Sequence, residues 1–311
     1  MQKLAIITGG AGFIGSHLVD ALIAKKWKVE IIDNLSSGRR ENVNPKAKLH
    51  VMDIREPEAA KLILKLKPHA VFHLAAQVSV PESIKDPVYD AEVNIHATLR
   101  LLEASSVVHV THFIFAGTGG ALSSEKTKLP TDEEHAIRPE SPYGIAKFTS
   151  EMYGDFYRHV RGLPFVSFRF ANVYGPRQTP KGEACVVAVF IKRMLKGEPV
   201  RINGSGKQTR DYIFVDDVVR AMLFGLTHPE VEGPFNVGTG HETDVWTLFR
   251  KLSKIAGYDE KPLAGPADVG APFRSVLDSK KANQKLGWKP KVSLDQGLKK
   301  TVEWLEKEKG K

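Results

Sequence analysis

Short apolar runs recur through the first half of the chain, with amphipathic segments between them. LAIITG (4–9), VEIID (29–33), KLHVMD (48–53), AVFHLAA (70–76), THFIFA (111–116) and FVSFRFA (165–171) read as buried strands. Residues 12–25 carry Phe13, Leu18, Leu22 and Ile23 at helical spacing, and 57–66, 87–107 and 142–161 read as helices too. Strands that are apolar almost throughout, alternating with helices, predict an α/β fold: a doubly wound parallel sheet covered on both faces. The rhythm changes after 172. Loops rich in Gly, Pro and Arg (GPRQTPKGE, NGSGKQTRD, AGPADVGAP) separate shorter helices at 184–196, 216–227, 243–256, 279–286 and 294–308. This predicts a sheet domain over 1–172 and a smaller α/β domain over 173–311. Segments 211–220 and 233–239 are expected to return to the first domain. The loops of the second domain should face the carboxyl edge of the sheet, where open α/β sheets bind ligands.

Composition changes this picture little. The chain has 311 residues, 42% of them hydrophobic, enough for a substantial core. A single cysteine, Cys185, rules out an intrachain disulfide and any cysteine-rich zinc site. No H-E-x-x-H pattern occurs, so no metal is expected. The apolar run in MQKLAIITGG is too short for a signal sequence or a membrane span, and a cytoplasmic location is the expectation. The net charge of +9 admits a nucleic-acid reading. Much of the excess is lysine within 280–311, which reads as a solvated helix face, so no nucleic-acid partner is expected. A basic surface also draws in an anionic small molecule.

TGGAGFIG (8–15) does change the picture. It follows the first strand and opens the first helix. Gly9 permits a tight turn, Gly12 lets the backbone approach a pyrophosphate, and Gly15 lets the helix pack on the strand. The helix N-terminus adds N–H donors and a positive dipole end. Asp33 ends the second strand eighteen residues past Gly15, where a ribose-binding carboxylate belongs. Together these predict a Rossmann-type dinucleotide site. A carboxylate there hydrogen-bonds a free 2′-hydroxyl and repels a 2′-phosphate, which favours NAD over NADP. Arg39 and Arg40 lie beyond a loop, and Asp53 ends the third strand, where it can meet the adenine or cap the helix before Glu56.

The chemistry is carried by SPYGIAKFTSEMYGDFY (141–157). Ser141 suits an N-cap and Pro142 a first helical position. Tyr143 and Lys147 then share one helix face. A lysine beside a tyrosine hydroxyl favours the phenolate and makes it a usable base near neutrality. Gly144, costly inside a helix, points to a close backbone approach.

With TGGAGFIGSH, DNLSSG, VFHLAAQ, FIFAGTGGA, SPYGIAK, RFANVYGPRQ, GEACVVAVF, TRDYIFVDDV, FNVGTG and KLGWKPK in order, the chain resembles the extended short-chain dehydrogenase/reductase family over nearly its whole length. Within it, the sequence is most similar to the nucleotide-sugar epimerases. The resemblance implies tightly held NAD and C4 epimerisation of a UDP-hexose through a 4-keto intermediate, with Tyr143 as base. It adds Thr118 as the hydroxyl that completes the pair. Dehydratases and decarboxylases of the family place an acid just after this hydroxyl; Gly119 and Gly120 stand here instead, which favours oxidation and re-reduction at one carbon.

The resemblance also implies cofactor contacts from Phe13, Ile14, Asn34, Ser37, Gly38, Ile54, Leu74, Ala75, Ala76, Gln77, Asn94, Ala116 and Phe170. Substrate contacts are implied for Val80, Asn172, Val187, Arg201, Asn203 and Arg210, with VRIN (200–203) as the uracil segment. Arg210 can instead pair with Asp211 or Asp217. The chain departs from the family at Asp268–Ala271, where an arginine clamp is usual; Arg274 is the expected substitute. A small Ser275 leaves room for an N-acetyl group, so UDP-GlcNAc and UDP-GalNAc are further expected substrates. Ser123-Ser124 replaces a usual Tyr-Gly. Helices 87–107 and 142–161 are expected to pair across a two-fold into a homodimer. The competing readings are a UDP-glucuronate 4-epimerase, dehydratase or reductase of the same fold, and a non-catalytic dinucleotide sensor.

Overall fold

A computed structural model describes residues 2–122, 128–179, 185–228, 230–266 and 272–309. The first half alternates as its apolar pattern requires. Strands β1 (Leu4–Thr8), β2 (Lys28–Asp33), β3 (Lys48–Val51), β4 (Ala70–His73), β5 (His112–Thr118) and β6 (Phe165–Phe170) alternate with helices. These are α1 (Phe13–Ala24), α2 (Pro57–Leu66), α3 (Val80–Lys85), α4 (Pro87–Ala91), α5 (Ala97–Val107) and α6 (Pro142–Arg161). The later chain adds strands β7 (Asn172–Tyr174), β8 (Arg201–Asn203), β9 (Thr209–Arg210) and β10 (Tyr212–Phe214). It continues with β11 (Phe235–Val237), β12 (Thr243–Asp244), β13 (Leu263–Gly265) and β14 (Arg274–Ser275). Its helices are α7 (Val186–Lys196), α8 (Val215–Phe224), α9 (Val245–Ala256), α10 (Lys280–Leu286) and α11 (Leu294–Lys309).

Seven parallel strands form one sheet in the order β11-β6-β5-β4-β1-β2-β3. The order reverses between β1 and β4, which opens a crevice at their carboxyl ends. One apolar core lies on each face. The first gathers Leu18 and Leu22 of α1 with Phe168 and Phe235. The second gathers Ile63, Leu101, Phe113 and Phe165. The fold is the Rossmann type.

The later chain does not stay apart from this sheet. β11 supplies its seventh strand, and α8 packs on α1. The remaining short strands form small sheets, β10-β7, β12-β9-β14 and β13-β8. Trp288, fully buried, donates Nε1–H to the Asp217 carbonyl at 3.0 Å and ties the chain after α10 to α8.

One expected element is broken. The helix expected over 87–107 is divided into α4 and α5 by a π-helical turn at Glu92–His96. A π-turn inside a helix often marks a working site. Here the Asn94 carbonyl accepts hydroxyl hydrogen bonds from Thr98 at 2.7 Å and from Ser150 of α6 at 2.6 Å.

Candidate active site

The glycine loop lies at the carboxyl end of β1, as its sequence requires. Gly9 takes φ +72°, and a Cβ there would stand 2.8 Å from the Ala75 nitrogen. A Cβ on Gly15 would lie 2.1 Å from the Gly9 carbonyl, so α1 seats directly on the loop. Gly12 is the N-cap of α1 and offers no side chain to its first N–H groups. These donors, on Phe13 and Ile14 among others, are left for an anion.

Asp33 ends β2 beside this loop. Its carboxylate accepts from Ala11 N at 2.9 Å and Leu35 N at 2.8 Å. The first bond fixes the glycine loop. A carboxylate has about four lone-pair sites, which leaves capacity for ribose hydroxyls. Gly38 lies against it, where a Cβ would be 2.8 Å from Asp33 Oδ1; Ser37 precedes it in the same loop. Arg39 points to Glu41 at 3.5 Å.

Asp53 is not a helix cap. It holds Arg55 through Nε at 3.0 Å and accepts from Asn34 Nδ2 at 3.0 Å. Burial works against its charge, but Arg55 and Asn34 outweigh it and hold the carboxyl below its usual value. Ile54 beside it is buried in the core. Across the crevice, Leu74 N and Ala75 N donate to the Thr8 hydroxyl at 3.2 and 3.1 Å. Ala76 and Gln77 continue that loop, half-buried, and Gln77 N donates to Asn94 Oδ1 at 3.1 Å. A loop that only glycine can form, bare helix donors and a ribose-side carboxylate fit a dinucleotide with a free 2′-hydroxyl.

The tyrosine and lysine lie on α6. Ser141 caps it, accepting from Gly144 N at 3.2 Å, and Pro142 begins it. Gly144 explains itself here: a Cβ would stand 2.5 Å from the Ala121 carbonyl oxygen. The helix thus runs against the turn that follows Thr118. Lys147 is 5% exposed and donates to the Ala116 carbonyl at 2.9 Å. Its ammonium also sits 4.7 Å over the Phe115 ring. Burial lowers its pKa to about 8, against the opposing charge of Asp90. Tyr143 is half-buried one turn earlier.

Thr118 is the last residue of β5, two residues past the strand end expected from the sequence, and pairs in register with Phe170. The first glycine after it is required by packing, the second is not. A Cβ on Gly119 would lie 2.5 Å from the side chain of buried Leu277. A Cβ on Gly120 would stand 3.4 Å from Ser275 Oγ. An acid at Gly119 would have to displace Leu277. The same contact brings Ser275 beside the threonine loop.

The substrate-side residues are more dispersed. Val80 begins α3, and Asn172 begins β7, its N–H bonded to the Asp211 carbonyl at 2.9 Å. Arg210 lies on β9 and donates to the Thr209 carbonyl at 2.7 Å. Asp211 and Asp217 are committed elsewhere. Asp211 accepts from Thr239 N at 2.9 Å, and Asp217 from Lys291 N at 2.9 Å. Arg201 and Asn203 are on β8.

Two of the expected substrate contacts are already engaged within the protein. Val187 is fully buried in the core, so a ligand can meet only its backbone, in the first turn of α7. The Arg274 guanidinium pairs with both carboxylate oxygens of Glu242, Nε to Oε1 at 2.9 Å. The partner was invisible in sequence because Glu242 and Arg274 meet only through β12-β9-β14. The departures at Asp268–Ala271 and Ser123-Ser124 lie outside the described residues. Among the described residues, no helix is long and apolar enough to cross a membrane, and no cluster of ligating side chains could hold a metal ion.

A sequence profile of the NAD dependent epimerase/dehydratase family matches residues 5–238. The chain belongs to this family. It is an NAD-dependent enzyme of the epimerase class, similar to UDP-glucose 4-epimerases. The UDP-glucose 4-epimerase of Mycolicibacterium smegmatis is 41% identical over 305 residues, covering 96% of this chain and 97% of that protein. The crystal structure of a UDP-glucose 4-epimerase with UDP-glucose from Thermotoga maritima superposes with a TM-score of 0.94 at 50% identity, covering 98% of this chain and 99% of that one. That of a UDP-glucose 4-epimerase complex with NAD from Thermus thermophilus gives 0.91 at 39% identity, covering 97% and 99%.

Proposed function

We propose that the protein epimerises C4 of a UDP-hexose, interconverting UDP-glucose and UDP-galactose. The observation that carries this reading is the seating of α6. Gly144 presses on the turn after Thr118, and Lys147 is anchored on the Ala116 carbonyl. This seating supports a reading in which Tyr143, Lys147 and Thr118 work together near the carboxyl end of β5.

The glycine loop, Asp33 and Lys147 hold NAD, which when bound takes up the C4 hydrogen with its electron pair and gives it back. Tyr143, as phenolate, removes the proton of the sugar 4-hydroxyl. Lys147 stabilises that phenolate by its charge, and Thr118 holds the same hydroxyl by a hydrogen bond. The resulting 4-ketosugar turns over in the cleft. Tyr143 then returns the proton to the oxygen at C4, with the new hydrogen on the opposite face. The proton and the cofactor are both regenerated each cycle, so no second substrate is consumed. A dehydratase needs a further acid near Thr118, and Leu277 fills that space at Gly119.

On the substrate side, Arg210 and Asn172 meet the diphosphate, and β8 (Arg201, Asn203) the uracil. Ser275, small and beside the threonine loop, leaves room for a C2 N-acetyl group, so UDP-GlcNAc and UDP-GalNAc turn over as well. The working unit is a homodimer. Ile145, Met152, Tyr153, Phe156 and Val160 leave a long exposed apolar face on α6, and Val88 and Tyr89 of α4 extend it.

Tyr143→Phe tests the catalytic reading. It should cut turnover about 10²–10⁴-fold, the range for loss of a general base, while NAD stays bound. Near-normal turnover in this variant would refute the assignment.

A further inference from the structure

Beneath the tyrosine–lysine helix runs a buried polar chain that the reaction above leaves unused. Its direction follows from counting donors. The Thr98 hydroxyl donates to the Asn94 carbonyl at 2.7 Å, so it accepts from His73 Nε2, 2.9 Å away. His73 therefore carries its proton on Nε2, and Nδ1 accepts from the Thr8 hydroxyl at 2.7 Å. Burial, with the charge of Lys147 acting the same way, drives the ring pKa down to about 3. The histidine is neutral throughout the working range and does nothing to balance Lys147.

Asp90 is different. It ends the same network and is 1% exposed. Its Oδ1 accepts from Gln77 Nε2 at 2.8 Å and Asn94 Nδ2 at 2.9 Å. Both amides are oriented by further bonds. Asn94 Nδ2 also reaches the Gln77 carbonyl at 2.9 Å, and Gln77 Oε1 accepts from Ser79 N. Asp90 Oδ2 is buried and has no hydrogen-bond partner among the described residues. A buried carboxylate with one oxygen unpaired is unfavourable unless a positive charge lies near. Helix α4, which carries Asp90, packs against α6, which carries Lys147, and across that contact each charge acts on the other without a direct ion pair. The ammonium has three donors, and the Ala116 carbonyl takes one. The other charged neighbour along α6, Glu151, is already paired with Arg169.

We propose that Asp90 is a positioning residue for the catalytic pair: its carboxylate is the buried counter-charge that holds Lys147 as an ammonium and sets the pH range in which Lys147 and Tyr143 work. This rests on the reading of Tyr143 and Lys147 given above. Burial pushes the Asp90 carboxyl up, while Gln77, Asn94 and Lys147 pull it back, in keeping with such a pairing. Among the described residues, the titratable or charged groups set around Lys147 are Tyr143 and the Arg169-paired Glu151 on α6, Asp90 on α4 and neutral His73 on β4. Removing the negative one makes both Lys147 and Tyr143 lose their protons at lower pH.

Asp90→Asn keeps the shape and the Oδ1 acceptor and removes the charge. Its pH profile of kcat should move to lower pH by about one unit, and Asp90→Glu should restore it part of the way. An ultraviolet difference titration of tyrosinate, each protein against its Tyr143→Phe counterpart, should show the same downward move without relying on turnover. Profiles and titrations that superimpose on the wild type would overturn the proposal. If Asp90→Asn does not fold, Lys147→Met serves: the Asp90 carboxyl, followed by carbon NMR, should then titrate at higher pH, and an unchanged value overturns the proposal equally. Should the wild type fail to epimerise, the tyrosinate titration still decides on Asp90, so the two readings stand or fall separately.

Discussion

Asp33 shows how much one residue carries. Its carboxylate, proposed to meet the ribose, also pins the glycine loop through Ala11 N at 2.9 Å. Asp33→Asn can keep only one of these acceptor roles well, because one oxygen becomes a donor. Hydrogen bonds to a charged group are worth about 1.5–3 kcal/mol. NAD affinity should therefore fall by about ten- to a hundredfold, read as NAD lost on dialysis. Undiminished retention would remove Asp33 from the site. Most residues proposed to carry the chemistry stand out in sequence because they belong to local patterns: glycines opening a helix, an acid ending a strand, a tyrosine and lysine one turn apart; Thr118 came only from the family resemblance. Asp90, Leu277 and Glu242 do not stand out. Their meaning lies in partners far along the chain, Lys147, Gly119 and Arg274.

At the scale of elements, α6 is the part on which the site depends. Its start, cap and length followed from Ser141, Pro142 and the apolar spacing. Intrinsic propensity favours Gly144→Ala by about 1 kcal/mol. The structure predicts the reverse, because the new Cβ would meet the Ala121 carbonyl at 2.5 Å. Overpacking costs about 1–3 kcal/mol, and tilting the helix moves Tyr143 and Lys147 off their target. Gly144→Ala should melt at lower temperature and lose about 10²-fold in kcat. A more stable, fully active variant would show that the close approach does not matter. The π-turn at Glu92–His96 escaped sequence reading, since the period over 87–107 stays helical. What breaks it is tertiary: Ser150 of α6 reaching the Asn94 carbonyl. The short strands β9, β12 and β14 were likewise illegible, as segments of two residues owe their existence to register with one another.

At the scale of the molecule, the order of the seven strands places the crevice between β1 and β4, at the end of β1 where the glycine loop begins. The sheet was readable from apolar runs alone. The return of β11 to it was expected from sequence position, but the small sheets around Arg210 and Arg274 were not. The apolar face of α6 and α4 makes a separate prediction. Sedimentation should find a dimer, and Phe156→Glu, in the middle of that face, should shift it to monomer with the fold intact. A wild-type monomer would leave Phe156 and Met152 without a partner and contradict the dimer reading.

In the proposed C4 epimerisation, proton and cofactor return to their starting state each turn. Proton NMR of the purified protein with UDP-galactose and no added cofactor should then show UDP-glucose appearing to a fixed ratio with no net oxidation. If UDP-galactose, UDP-GalNAc and UDP-glucuronate all stay unchanged even with NAD added, or if net oxidation or loss of water is seen, the protein is not a C4 epimerase of UDP-hexoses.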